Sequence, residues 1–362
     1  MKPGLGYNAW HCLCLCVLVL LTPAVGLSII LHPGIGEPNL TTWTDRPVNA
    51  VVGRWSSNAS FVVVSPKWII TTRHQNTSPA TVDINGVTYN CIYNSQWVGG
   101  PSVNADIRLI RLKNTDGSDL NLAYYADPYT TADEKSRQNI YTPYIAIGGY
   151  GRGRETILYS SDYPSNPYGY TWGTGSNNNN TQRWCTNTIA GYGTADQDYT
   201  SDVIGAYFDD PGTTLYEGIP AGYDSGGGWF INVKVGGSPA HPILAWQLAG
   251  LTRAVTPHNG QSWYRDPNTG TIPTPDGMDA VRISSYETWI NGIINEDCPV
   301  GDLDGDCKVN MLDFAQFANW WLRKDCVSGN NFCQWADIQP DGKVDMIDFA
   351  FFAQNWLVDK SL

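Results

Sequence analysis

The chain reads as a mainly β protein that closes with a small all-α domain of two loop–helix repeats, and three observations predict this. From about residue 48 to 292 the text breaks into short apolar runs separated by Gly, Pro, Asn and Asp. Thirty-seven glycines and 22 prolines, with abundant Tyr, Trp, Thr and Asn, favour a turn-rich fold over a helical one. After Glu296 the character changes: "GDLDGDCKVNMLDFAQFANWWL" is followed 35 residues later by "ADIQPDGKVDMIDFAFFAQNWL", a loop and an amphipathic helix written twice.

The elements follow in order. "SFVVVSPKWIITT" predicts two strands joined at Ser65-Pro66. "ADIRLIRLK" alternates polar and apolar, and "YIAIGGYG" and "HPILAWQLAGLT" also read as strands. The polar stretch 160–200, with "SNNNNTQ", is expected to be a long surface insertion. "SSYETWINGIIN" predicts a helix with Tyr286, Trp289, Ile290 and Ile293 on one face and Ser284 or Ser285 as its cap.

Composition bounds the function. The chain is 42% apolar and only 15% charged, with a formal net charge of −12. That acidity argues against nucleic acid as a partner, whose binding needs a basic surface. It fits a secreted protein or one that binds cations. Lys2 precedes "CLCLCVLVLLTPAVG", a short apolar run ending in small residues. It reads as a signal peptide over 1–26, so the mature protein is expected outside the cell. No second apolar stretch is long enough for a membrane span.

Nine cysteines are present, and Cys12, Cys14 and Cys16 would leave with the signal. Six remain, an even number in a secreted chain, which suggests disulfides. The connectivity is open; Cys298–Cys307 and Cys326–Cys333 are near neighbours, which would leave Cys91 for Cys185. No CxxC pair or His cluster supports zinc.

Calcium takes about six to eight oxygen ligands, which a twelve-residue acidic loop can supply. The first repeat offers Asp302, Asp304, Asp306, Asn310 and Asp313, with the Lys308 carbonyl at the seventh loop position. The second offers Asp337, Gln339, Asp341, Asp345 and Asp348, with the Lys343 carbonyl. Two Ca2+ sites are expected. Gly342 holds the sharp-turn position of the second loop, whereas Cys307 occupies it in the first. With Asp at the last ligand position and no helix entering the loop, the stretch 297–362 resembles a type I dockerin domain. That resemblance implies calcium binding and a cohesin-type docking partner, met by Met311–Leu312 and Met346–Ile347.

"IPAGYDSGGGWF" places Ser225 between an aspartate and three glycines. A serine hydroxyl attacks a carbonyl only when a histidine takes its proton and an acid fixes that histidine's tautomer. Of the five histidines, His74 stands apart because it ends the apolar strand "KWIITTRH". Asp106 precedes the alternating strand "ADIRLIRL". The chain order is His, Asp, Ser.

"SPKWIITTRH", "ADIRLIRL", "DSGGG", "WQLAGL" and "ISSYETWI" together resemble, in order, blocks of the chymotrypsin/trypsin-like serine peptidase family. The resemblance covers about 48–292 and implies two packed six-stranded β-barrels over 27–296, with the site between them. It implies Ser225 as nucleophile, His74 as general base and then acid, and Asp106 as the residue that orients the imidazole. The N–H groups of Ser225 and Tyr223 would form an oxyanion hole, and Asp224 would be a buried structural acid. A polypeptide would be the substrate.

Several positions depart from that pattern. Tyr223 stands where the family usually has glycine, Gln75 removes the usual cysteine beside the histidine, and no Ile-Val-Gly-Gly start is present. "AVVGRW" is too near His74 to serve and reads as part of the first strands. Two other readings follow: an inactive binding or scaffold protein on the same fold, and a polysaccharide-degrading enzyme using Asp209-Asp210 as half of a carboxylate pair.

Overall fold

A computed structural model describes residues 29–359 apart from 33–42, 57–58, 93–104, 119, 121, 139, 163, 174–180, 210–213, 238–241, 257, 269–274, 295–298, 305–307, 328–329 and 340. Six strands close into an antiparallel barrel: β1 (Val52–Trp55), β2 (Ala59–Ser65), β3 (Trp68–Thr71), β4 (Thr81–Ile84), β5 (Val87–Ile92) and β6 (Arg108–Lys113). Their order is β1-β2-β3-β6-β5-β4, and the pairing of Arg54 with Asp83 shuts it. Alternation splits β2 between two cores. Phe61 and Val63 join Trp55, Ile69, Ile110 and Leu112 inside the barrel. Val62 and Val64 face Ile70, Leu109, Phe230, Leu248 and Leu251 outside it. Burial on both faces is why β2 is an unbroken apolar run.

The second unit is a seven-stranded sheet. Its members are β7 (Ile145–Gly149), β8 (Arg183–Asn187), β9 (Gly191–Gln197), β10 (Tyr199–Tyr207), β11 (Gly228–Gly237), β12 (Pro242–Val255) and β13 (Gly277–Arg282). They run in the order β8-β7-β11-β12-β13-β10-β9. The sheet is a half-barrel, which corrects the expectation of a second closed six-stranded barrel. Its last strand, β9, hairpins back on β10 and leaves its outer side chains largely in solvent, so it has no apolar face to carry closure. The stretch 160–200 also departs from expectation. It contributes β8, which is buried along its whole length, the separate strand Pro167–Trp172, central in a three-stranded sheet, and β9, whose side chains are largely in solvent.

The half-barrel curls over Ile147, Ile204, Trp229, Ile231, Ala249 and Ala280, and the N-terminal residues Ile29, Ile30 and Leu31 are buried in that same core. Ile30 and Leu31 pair with Ile219 and Gly218. Helix α1 (Glu287–Ile294) adds Ile290 and Ile293 to the core between barrel and sheet, with Tyr286 and Trp289 packed against it, as the sequence predicts, and Ile294 joins them. Neither predicted serine starts it: a 3-10 turn over Ile283–Tyr286 precedes α1, and the Ser284 hydroxyl donates instead to Glu134 Oε1 at 2.5 Å.

The C-terminal unit has its own core of Val309, Phe317, Cys326, Cys333, Ala336, Val344 and Phe352. Helices α2 (Met311–Asn319) and α3 (Met346–Gln354) face each other, with Phe317 and Phe352 stacked at 5.3 Å. The repeats exchange backbone bonds: Leu357 N–H donates to Val309 O at 2.8 Å, and Leu322 N–H to Val344 O at 2.9 Å. The expected Cys326–Cys333 disulfide is formed. Cys91 and Cys185 are not bridged; they are buried in two different cores. Cys298 and Cys307 lie outside the described residues.

Candidate catalytic site and calcium loops

The barrel carries two of the three predicted catalytic residues. His74 follows β3 and Asp106 precedes β6, two strands that are neighbours in the barrel. Asp106 is 2% exposed, and its Oδ2 lies 2.7 Å from His74 Nδ1. Its Oδ1 accepts the backbone N–H groups of Arg73 and His74, each at 2.8 Å. An acid held by two amides cannot turn away, so its other oxygen fixes the proton on Nδ1 and leaves the Nε2 lone pair outward. Ser201 Oγ accepts the Asp106 N–H at 2.8 Å, which ties the barrel site to β10.

Ser225 arrives from the other unit, on the turn before β11. Ser60 N–H donates to Ser225 O at 2.8 Å, so the turn is sewn to β2 of the barrel. Gly226 N–H donates to Thr252 O on β12 at 2.9 Å. Gly226 has φ +81°, and a Cβ there would lie 2.2 Å from Ser60 O. Only glycine satisfies both demands. The Ser225 turn and His74 thus meet the barrel on neighbouring strands, β2 and β3, along one seam between the two units. They share no hydrogen bond: Gln75 Nε2 sits 3.0 Å from His74 Nε2 and donates to the lone pair that Ser225 would need. Arg108 secures that loop, donating to the Gln75 and Thr77 carbonyls while its guanidinium stacks 4.6 Å from the Trp55 ring.

The Ser225 turn also carries the predicted oxyanion donors. Its N–H groups at Asp224, Gly226 and Gly227 are all engaged by backbone carbonyls. Those of Tyr223 and Ser225 have no partner among the described residues. Tyr223 holds φ +76°, the left-handed region, which costs a non-glycine residue roughly 1–2 kcal/mol.

Asp224 is 1% exposed. Its Oδ1 accepts Gly151 N–H at 2.6 Å and its Oδ2 accepts Ala221 N–H at 2.9 Å. Burial pushes its carboxyl up to about 6, against the opposing pull of those amides, the charge of Arg183 and the N–H of Ile29. Sequence reasoning gave Asp224 a structural role and noted Gln75 only as a missing cysteine, and it did not find Ile29, Arg108, Arg152 or Ser201 beside the site. The one signal was Arg108, a charged residue at a position where the β6 alternation requires an inward side chain.

In the C-terminal unit the first loop gathers Asp302, Asp304 and Asp313, whose carboxylate oxygens lie within 4.8 Å of one another. Asp313 accepts the N–H groups of Leu303, Asp304 and Asn310, and Asn310 caps α2. Asp306 lies outside the described residues. The second loop repeats the frame: Asp348 accepts from Gln339 and Asp345, and Asp337 from Asp341 and Gly342. The Lys343 ammonium lies 3.2 Å from Asp341 Oδ2 and 2.9 Å from Asp345 Oδ2. At the mouth of the helices Met311, Leu312 and Met346 are each more than 60% exposed, and Ile347 is 48% exposed.

Residues 300–355 match the type I dockerin domain. Domains of that type bind calcium, and the clustered oxygens of the first loop are the hard donors that ion requires. A dockerin domain implies a cohesin as docking partner. No curated protein matches the chain. No helix among the described residues is long and apolar enough to cross a membrane.

Proposed function

We propose that the chain is a secreted serine endopeptidase of the chymotrypsin/trypsin-like kind, anchored through its dockerin domain. The observation that carries this reading is the doubly anchored Asp106 that holds His74 after β3, beside the strand β2 to which the Ser225 turn is sewn, with the Tyr223 and Ser225 N–H groups open among the described residues. Ser225 Oγ attacks the scissile carbonyl carbon while its proton passes to His74 Nε2. Asp106 stabilises the imidazolium. The tetrahedral oxyanion is held by the N–H groups of Tyr223 and Ser225, each worth a few kcal/mol in such a site. His74 returns the proton to the leaving amine, and water then releases the acid from the acyl-enzyme by the same steps.

Both loops would hold calcium in this reading, the first through Asp302, Asp304 and Asp313 and the second through Asp337, Asp341, Asp345 and Asp348. The ions would set the loop conformation that presents Met311–Leu312 and Met346–Ile347 to a cohesin. The apolar run before Gly26 would direct export.

A specific observation favours a second reading, an inactive scaffold: the Gln75 amide occupies His74 Nε2. A fluorophosphonate probe decides between them. Labelling of the folded full chain, lost in Ser225→Ala, supports the peptidase; no labelling of either protein supports the scaffold.

A further inference from the structure

We propose that Arg152 is a positioning residue that holds Tyr223 in the left-handed conformation and so aims the Tyr223 N–H at the seam. The inference rests on the peptidase reading for its consequence, though not for its geometry. A tyrosine at φ +76° returns to the β or α region unless something outside its own backbone resists. The core does not supply that resistance, because Tyr223 is 39% exposed. The 221–224 turn, closed by Asp224 N–H on Ala221 O at 3.1 Å and by Ala221 N–H on Asp224 Oδ2 at 2.9 Å, brackets Tyr223 but holds neither its ring nor its own N–H.

Arg152 engages the turn at two levels. Its backbone N–H donates to Gly222 O at 2.7 Å, fixing the peptide that precedes Tyr223. Its guanidinium carbon lies 4.6 Å from the Tyr223 ring centroid, and its Nη2 donates to the Tyr223 hydroxyl at 3.2 Å. A face-on guanidinium attracts the ring through its quadrupole. Because the ring is fixed to Cα, holding the ring opposes rotation of φ. The neighbouring Gly151 completes the clamp through its bond to Asp224, and a Cβ on Gly151 would lie 2.3 Å from Asp224 Cγ. The segment 151–152 therefore meets residues 222, 223 and 224 in turn. Where a glycine would take this conformation freely, the chain uses an arginine to impose it on a tyrosine.

The test is a double-mutant cycle on the full chain: Arg152→Ala, Tyr223→Gly and the pair. Fluorophosphonate labelling of Ser225 is measured across probe concentrations, separating the maximal rate from the half-saturating concentration. Arg152→Ala is expected to slow the maximal rate about 10- to 100-fold, part of the loss seen when an oxyanion donor is removed. The half-saturating concentration should be unchanged. In the Tyr223→Gly background, measured against that variant's own rate, adding Arg152→Ala should cost nothing more. An equal loss in both backgrounds, or no loss in the tyrosine background, overturns the proposal. If the parent does not label at all, the peptidase reading falls and thermal midpoints decide the clamp. Arg152→Ala should then lower the midpoint more with tyrosine than with glycine at position 223; equal shifts overturn it. Should Arg152→Ala fail to fold, Arg152→Gln keeps a planar side chain without the charge and enters the same cycle.

Discussion

His74 Nδ1 lies 2.7 Å from Asp106 Oδ2, and the same aspartate accepts the His74 backbone N–H through Oδ1 at 2.8 Å. One carboxylate therefore sets both the ring and the main chain of the residue it orients. Asp106→Asn keeps the shape but presents an N–H where an acceptor is needed, so one of these bonds inverts. In the peptidase reading, the Ser225 labelling rate should fall about 10³- to 10⁴-fold with the fold intact by circular dichroism.

Gln75 donates to the His74 lone pair at 3.0 Å. Removing that donor in Gln75→Ala leaves Nε2 open toward Ser225. Labelling should accelerate severalfold, because a competing hydrogen bond of about 1 kcal/mol disappears. A slower rate in a stably folded variant would instead make Gln75 a support of the imidazole.

Asp224 makes stability fall as pH rises. Its carboxyl is about 6 in the folded chain against an ordinary 3.8, so the folded state binds the proton more tightly. The stability it contributes is full below about pH 4 and is lost as pH rises through about 6, a change of about 3 kcal/mol. Thermal midpoints of Asp224→Asn should be flatter over that window than those of the parent. The N–H of Ile29 points at the same carboxylate. A chain made to begin at Ile29 would place an α-ammonium there, lower the carboxyl and remove most of the slope. A chain with one extra residue before Ile29 should keep it.

Calcium should fill the two loops unequally. Lys343 bridges Asp341 and Asp345 in the second loop, and Gln339 replaces an acidic ligand there. Calorimetry should resolve a weaker second site, which Lys343→Ala strengthens and Asp348→Ala abolishes. Asp313→Ala should remove the tighter site, because Asp313 also holds the loop through three backbone amides.

Phe317 and Phe352 are each 1% exposed and stack across the duplicated helices. Phe352→Ala should destabilise the C-terminal unit by about 3–5 kcal/mol. That unit would then unfold in a separate, earlier calorimetric transition while the β units melt as in the parent.

The sequence by itself determined the elements whose signal is local. Alternating "ADIRLIRL", the doubled loop–helix text and the glycine turn at Ser225 each follow from the physics of a few adjacent residues. The pairing of His74 with Asp106 was legible for the same reason, since each ends or begins a strongly patterned strand. What only the tertiary structure decided depends on residues far apart in the chain. The second sheet stays open because its last strand faces water on both sides, and a polar edge strand has the composition of a loop. Cys91 and Cys185 are kept apart by belonging to different cores, which their count could not reveal. Arg152, Gln75 and Ile29 carry no motif; they matter through where the backbone delivers a guanidinium, an amide and an N–H. Contacts of that kind are set by packing between units, and packing is invisible to any pattern read along one strand.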